Sequence, residues 1–344
     1  MAFSFVVVLE HTGKSLSYLS KGMTLVTGGA GFIGSHVVDR LVHYGTEVRV
    51  FDNLSAGNIS NLSAHNDNKK FHFIKKDLNG AESLSEPLKD VKTVFHIAAY
   101  PEVRTGFEHP EKSYQENIRN TFYLLEQIRK SDVETILFTS SSTIYGEPDT
   151  MPTPEDYGPL LPISLYGASK LACEALLSSF CHTYGIKGQI FRLANVIGSR
   201  SNHGVLWDFI NKLRVNSRKL EVLGDGKQSK SFLHVSDCVD CFFFCLSASK
   251  KQVEVFNIGN DDKIDVTSIA KMVCNSMNLS DVKIETTGGV DNGRGWIGDI
   301  KVMHLEISKL KNLGWSPKLS SVEAVKLASQ ELLKESSLVE IIDK

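Results

Sequence analysis

From Met23 onward, short apolar runs alternate with stretches whose apolar positions recur at three- and four-residue spacing. Met23 to Val26, Glu47 to Phe51, Phe71 to Leu78 and Val91 to Ala99 are strand-length and read as four strands. The fourth is nearly all apolar, as a strand covered on both faces requires. Val37 to Tyr44 is amphipathic, and Asn117 to Lys130 carries apolar residues at 118, 122, 125 and 128 with Leu124 alongside, so both read as helices. Thr135 to Thr139 and Gln189 to Asn195 read as a fifth and a sixth strand, and a helix begins near Tyr166 and runs to about Tyr184. Residues 147–164 hold five prolines (148, 152, 154, 159 and 162) and read as a loop. Strand and helix in this alternation predict an α/β fold: a Rossmann-type doubly wound parallel sheet with a smaller, interleaved C-terminal α/β part.

Between the first strand and the first helix lies Thr27-Gly28-Gly29-Ala30-Gly31-Phe32-Ile33-Gly34-Ser35-His36. In such a turn the glycine at 28 permits the sharp bend, the one at 31 lets a pyrophosphate approach the backbone, and the one at 34 lets helix pack on strand. The N–H groups at the start of the new helix then face the phosphates. The second strand ends at Asp52, 24 residues beyond Gly28. A carboxylate there accepts both ribose hydroxyls of adenosine and repels a 2′-phosphate. Asn53 follows it, and the next arginine is Arg104, so the pattern predicts NAD rather than NADP.

Composition adds bounds. At 344 residues with 42% apolar and 23% charged content, the chain holds one large α/β unit or two domains. The formal net charge is −2 and there is no long basic tract, which gives no electrostatic support for nucleic-acid or membrane-surface binding. Six cysteines in a chain this long read as reduced thiols, and a cytoplasmic location is expected. Phe3 to Leu9 is apolar, but it lacks a basic segment before it and a small-residue cleavage site after it, and is too short to span a bilayer. Residues 1–22 are therefore expected to form a poorly ordered extension. Residues 23–190 are expected to form the NAD-binding part. Residues 191–344 are mainly substrate-binding, with segments that return to the sheet.

The chemistry concentrates where the fifth strand runs into Ser140-Ser141-Ser142-Thr143-Ile144-Tyr145-Gly146, and in Tyr166-Gly167-Ala168-Ser169-Lys170. Tyrosine and lysine four apart share a helix face. A phenol is a poor base at pH 7. An ammonium one turn away, with the positive ring of oxidised NAD, favours the phenolate. A serine at the end of a parallel strand sits at the sheet's carboxyl edge, where ligands of such sheets bind.

These motifs resemble those of the extended short-chain dehydrogenase/reductases, and within them the NAD-dependent nucleotide-sugar epimerases typified by UDP-glucose 4-epimerase. The resemblance runs from about Met23 to Leu333. It also rests on Phe-Asp-Asn-Leu (51–54), His-Ile-Ala-Ala (96–99), Arg-Leu-Ala-Asn-Val-Ile-Gly (192–198), Leu-Gly-Asp-Gly (223–226) and Leu-Gly-Trp-Ser-Pro (313–317). It implies Ser141, Tyr166 and Lys170 as the catalytic trio. Gly28, Gly31, Phe32, Ile33 and Gly34 would hold the pyrophosphate and Asp52 the adenine ribose, with Asn53 also in the cofactor site. Asp77 and Leu78 would flank the adenine, and Ala98 and Ala99 line the cofactor channel. Asn195 would contact the sugar nucleotide, and Arg294 its diphosphate. Many such sequences carry arginine where Lys230 stands here, and lysine keeps the charge without the bidentate fork. Glu306 stands where aspartate is usual, a minor change.

Relatives that dehydrate the sugar carry Asp-Glu at the positions of Ser142 and Thr143, those that decarboxylate a uronate carry Glu at that of Thr143, and those that epimerise and reduce GDP-sugars use a nearby cysteine. This chain has none of these. The resemblance therefore implies a C4 epimerase of UDP-glucose and UDP-galactose, or of the N-acetyl or uronic analogue. Tyr166 would take the C4 hydroxyl proton during hydride loss to NAD, and the 4-keto sugar would swing about its diphosphate link before reduction on the other face. Two alternatives stay open: a 4,6-dehydratase or 4-keto reductase, and a non-catalytic NAD-sensing protein. Cys238, Cys241 and Cys245 lie in an apolar helix without the second half of a zinc site, so no metal is expected. His203 and His234 are candidates for the cleft wall, His36 for packing, and Met303 for the wall near the sugar. Helices 113–130 and 169–184 each carry an apolar stripe beyond what one sheet face needs; in the family that the sequence resembles such helices pair across a two-fold as a four-helix bundle, so the resemblance implies a homodimer.

Overall fold

A computed structural model describes residues 22–79, 84–104 and 106–342, with side chains through Glu335. The expectation for the N-terminal extension lies, Gly22 apart, outside the described residues. Seven parallel strands form the main sheet: β1 Met23–Thr27, β2 Val48–Asp52, β3 Phe71–Lys75, β4 Val91–His96, β5 Thr135–Ser141, β6 Lys187–Leu193 and β7 Val253–Ile258. Their spatial order is β7-β6-β5-β4-β1-β2-β3, so the order reverses between β1 and β4. A ligand crevice is expected outside the carboxyl ends at that point. Strand β7, a strand not read from the sequence pattern, adds residues 253–258 to the sheet edge beside β6.

Each face of the sheet is covered by helices. On one side α1 (Phe32–His43) and the helix Val235–Ala248 pack with Val26, Val50, Phe95 and Phe191. On the other, the helices Asn120–Ile128 and Leu165–Tyr184 pack with Leu25, Val94, Ile136 and Phe138. Cys238, Cys241 and Cys245 belong to the first of these cores as small buried hydrophobes. The C-terminal part has its own core, where Val205–Val215, Val266–Ser276 and Ser321–Ile342 enclose Phe209, Leu220, Ile269 and Val325.

Two local features depart from the periodicity. The helix read as Asn117 to Lys130 begins at Pro110 and passes through a π-helical turn, Ser113–Arg119, before Asn120–Ile128. Such turns are common at functional sites, and this one carries Asn117. The helix bearing Tyr166 starts one residue earlier, at Leu165, because the Ser164 hydroxyl accepts a bond from the Gly167 N–H at 3.0 Å. Gly185 ends it in the left-handed conformation (φ +73°). Among the described residues no helix is long and apolar enough to cross a membrane.

Candidate active site

The carboxyl ends of β1, β2, β4, β5 and β6 open into a cleft of about 1630 Å³ that continues between the sheet and the C-terminal part. At β1 the glycine turn shows three different uses of a missing Cβ. Gly28 adopts φ +72° and lies so close to β4 that a Cβ would come within 2.7 Å of the Ala98 backbone. A Cβ on Gly34 would overlap the Gly28 carbonyl, whereas one on Gly31 would meet only that carbonyl, at 3.2 Å, and otherwise point into open space. Gly31 caps α1 without a side-chain bond, which leaves the first-turn N–H groups at Phe32 and Ile33 available to an anion.

Asp52 braces this turn from β2. Its carboxylate accepts from the Ala30 N–H at 2.9 Å and from the Leu54 N–H at 2.8 Å. Each oxygen keeps a second lone pair for a ribose hydroxyl. Asn53 donates to the Asp77 carboxylate at 2.8 Å, so the tips of β2 and β3 are tied together. Gly28, Gly31, Phe32, Ile33, Gly34, Asp52, Asn53, Asp77, Leu78, Ala98 and Ala99 all line the cleft. Beneath the turn, His96 is clamped between the hydroxyls of Thr27 (2.8 Å) and Thr121 (2.9 Å). Burial, with the nearby Lys170 charge, drives its pKa down to about 3, so it is neutral.

Ser141, Tyr166 and Lys170 meet on the same wall. The Lys170 ammonium lies 5.8 Å from the centre of the Tyr166 ring and 4.8 Å from that of Phe138, and donates to the Thr139 carbonyl at 2.8 Å. Burial lowers its pKa to about 8. Burial likewise pushes the Tyr166 phenol up to about 12, and a hydrogen bond with Ser141 opposes this only in part. The phenolate expected from the sequence rests on Lys170 together with the positive ring of oxidised NAD; of these two, the protein itself supplies Lys170. Within the protein alone, the loss of water around the phenol outweighs the lowering effect of Ser141.

One contributor to this wall went unread in the sequence. Asn117, on the π-helical turn, accepts from the Tyr100 N–H at 2.7 Å and donates to the Ser169 hydroxyl at 2.8 Å, fixing the turn that carries Tyr166 against the loop after β4. A single asparagine in an amphipathic helix gives no signal of that role.

The far wall comes from the C-terminal part. Asn195 and Lys230 line the cleft. Lys230 sits at the crossing of three short strands and donates to the buried Asp299 carboxylate at 2.8 Å, with the Trp296 indole 5.7 Å from its ammonium. Arg294 is placed differently from the sequence expectation. It is not among the residues lining the cleft, because its guanidinium is held by Glu147 (2.6 Å) and by the Asp299 carbonyl (2.6 Å). From the same loop Trp296 lines the cleft instead, and both its indole nitrogen and the Gln228 side-chain oxygen on the same wall are buried without a hydrogen-bond partner. His203 and Met303 line the cleft, while His234 is turned to Glu331 at 3.0 Å. His36 contacts the Ser199 carbonyl at 3.1 Å, as packing required.

Comparison with known proteins gives a consistent picture. The sequence profile of the NAD dependent epimerase/dehydratase family matches residues 24–259. A putative UDP-glucose 4-epimerase from Methanocaldococcus jannaschii is 34% identical over 311 residues, covering 88% of this chain and 96% of the relative. The crystal structure of a UDP-galactose 4-epimerase is 39% identical with a TM-score of 0.81, covering 91% of this chain and 99% of that one. A UDP-glucuronic acid 4-epimerase from Bacillus cereus, solved with UDP-glucuronic acid and NAD, is 28% identical with a TM-score of 0.82, covering 91% and 99%.

Proposed function

The chain belongs to the NAD dependent epimerase/dehydratase family, and from that premise we propose that it is a nucleotide-sugar C4 epimerase. It would interconvert UDP-glucose and UDP-galactose, or the N-acetyl or uronic analogue, through a transient 4-keto sugar. The observation that carries this reading is the end of β5. Ser141 and Tyr166 stand together on the cleft wall with Lys170 behind them, and the adjoining residues are Ser142 and Thr143, the latter donating its hydroxyl to Ser141 at 2.9 Å. Elimination of water across C5 and C6 needs a further acid and base, and this strand end offers hydroxyls in place of carboxyls.

NAD, when bound, supplies a hydride acceptor and, in its oxidised form, a positive ring. The turn fits it: the uncapped N-terminus of α1, the open space over Gly31 and the Asp52 carboxylate match pyrophosphate and ribose in turn. Tyr166 exchanges the proton of the sugar's C4 hydroxyl, and Ser141 donates to the C4 oxygen. Lys170 holds positive charge behind the phenol and fixes the strand through Thr139. Lys230 spends one N–H on Asp299 and keeps two for the diphosphate, which has to stay anchored while the sugar turns. Asn195 contacts the nucleotide sugar. A homodimer fits the exposed rings Phe122 and Tyr184, which flank Phe180 at centroid distances of 6.0 and 5.5 Å across the two outer helices.

The test adds no cofactor. Purified protein is incubated separately with UDP-glucose, UDP-N-acetylglucosamine and UDP-glucuronate, and each mixture is examined by proton NMR and mass spectrometry. A new anomeric signal at unchanged mass is expected from one of them, and names the sugar. Loss of water or of carbon dioxide would refute epimerisation.

A further inference from the structure

Two consecutive residues at the end of β5 are held by the helix that bears the proposed catalytic pair, and the third faces the cleft beside it. The Thr139 carbonyl accepts from Lys170, the Ser140 hydroxyl donates to the Glu174 carboxylate, and Ser141 lines the same cleft wall as Tyr166. The helix residues Tyr166, Lys170 and Glu174 are spaced i, i+4, i+8 and so form one stripe. Tyr166 and Lys170 belong to the proposed chemistry; Glu174 lies below them, buried away from the cleft wall.

A buried carboxylate is costly unless paired and hydrogen-bonded. Glu174 is both. Arg192 on β6 grips it with Nη2 at 2.8 Å and Nε at 3.1 Å. The same guanidinium donates to the Tyr145 hydroxyl and to the Glu155 carbonyl, each at 2.8 Å. Tyr145 closes the 3₁₀ turn that follows Ser141, and its hydroxyl donates to Asn257 on β7 at 2.7 Å. One continuous buried network thus joins β5, β6, β7 and the catalytic helix, and it grips the segment 140–145 at both ends. A core of ordinary apolar residues would hold the sheet as well; what this arrangement adds is a fixed position for the strand end relative to the helix.

We propose that Glu174 is a positioning residue: anchored by Arg192, it sets Ser141 against Tyr166 by holding Ser140 on the one side and Tyr145, through Arg192, on the other. The kinetic part of this inference rests on the epimerase reading; the mechanical part does not.

The test uses wild type, Ser140→Ala, and the double variant Glu174→Leu/Arg192→Met. Ser140→Ala cuts the tie and leaves the ion pair whole. The double variant removes both buried charges together, since Glu174→Leu alone would leave Arg192 unpaired and endanger folding. Amide hydrogen exchange across residues 139–146 and steady-state kinetics are measured on each. Both variants are expected to exchange faster in this segment and to lose kcat, by about 10²-fold for a displacement near 1 Å, with KM unchanged. Unchanged exchange in both variants overturns the proposal, as does a loss expressed in KM with kcat intact. A fall in kcat without altered exchange also overturns it, because Ser140 would then act on the reaction directly. If wild type turns over no UDP-sugar, the functional reading fails, and the exchange measurement alone decides whether the tie exists.

Discussion

At the nucleotide end of the cleft, β1, β2, β3 and β4 each contribute residues at or just past their carboxyl ends: the glycine turn, Asp52 with Asn53, Asp77 with Leu78, and Ala98 with Ala99. At the end proposed to hold the sugar, Asn195, Lys230 and the stretch 296–303 with Trp296, Asp299 and Met303 arrive from three segments joined only by two- and three-residue strands. The first end is a property of a parallel sheet, whose strand tips necessarily lie side by side. The second is a property of one particular way of folding residues 195–303 over it. Local chemistry therefore builds the nucleotide end, and long-range placement builds the sugar end.

Tyr166 sits where the two ends meet, and replacing it separates them most sharply. Tyr166→Phe is expected to lower kcat by about 10² to 10⁴-fold while bound NAD remains detectable in the absorbance spectrum. Wild-type turnover by this variant would remove Tyr166 from the proton transfer. Asp52→Ala tests the nucleotide end alone. It orphans the buried N–H of Ala30 and should cost about 1–3 kcal/mol of stability, with loss of NAD affinity in calorimetry and little change in UDP affinity.

At the sugar end the informative pair is Lys230→Ala against Arg294→Ala. The first should raise KM for the UDP-sugar about tenfold by removing charge-assisted donors from the cleft wall. The second should leave KM unchanged, because Arg294 does not line the cleft and its guanidinium is held by Glu147 and the Asp299 carbonyl. Equal effects on KM would mean that Arg294 reaches the substrate after all.

The smallest effect concerns His96, beneath the glycine turn. Its folded pKa, about 3, lies below the ordinary 6.5, so the unfolded chain takes up a proton that the folded protein refuses. Stability should therefore fall with pH below 6.5, by about 1 kcal/mol between pH 6.5 and 5.5 from this group. Urea unfolding at the two pH values should show that difference, and His96→Asn should remove it.

The sequence by itself determined six of the seven strands of the sheet, the glycine turn and the placing of Tyr166 and Lys170 on one helix face, for a physical reason. A strand buried on both faces must be apolar throughout, a turn with positive φ at 28 and no room at 34 must be glycine at both, and Tyr166 and Lys170 share a helix face by spacing alone. Tertiary structure decided what spacing cannot express. The loop 290–299 carries both Arg294 and Trp296, and only packing against Glu147 and Lys230 turns the arginine outward and the indole toward the cleft. Asn117 gains its role from a π-helical turn, Glu174 from Arg192 eighteen residues on, and the Tyr166 phenol its high pKa from burial that no neighbour in sequence imposes. In each case the deciding contact or loss of water comes from a segment distant in the chain. One-dimensional pattern records the face a residue presents and is silent on what the fold brings to meet it.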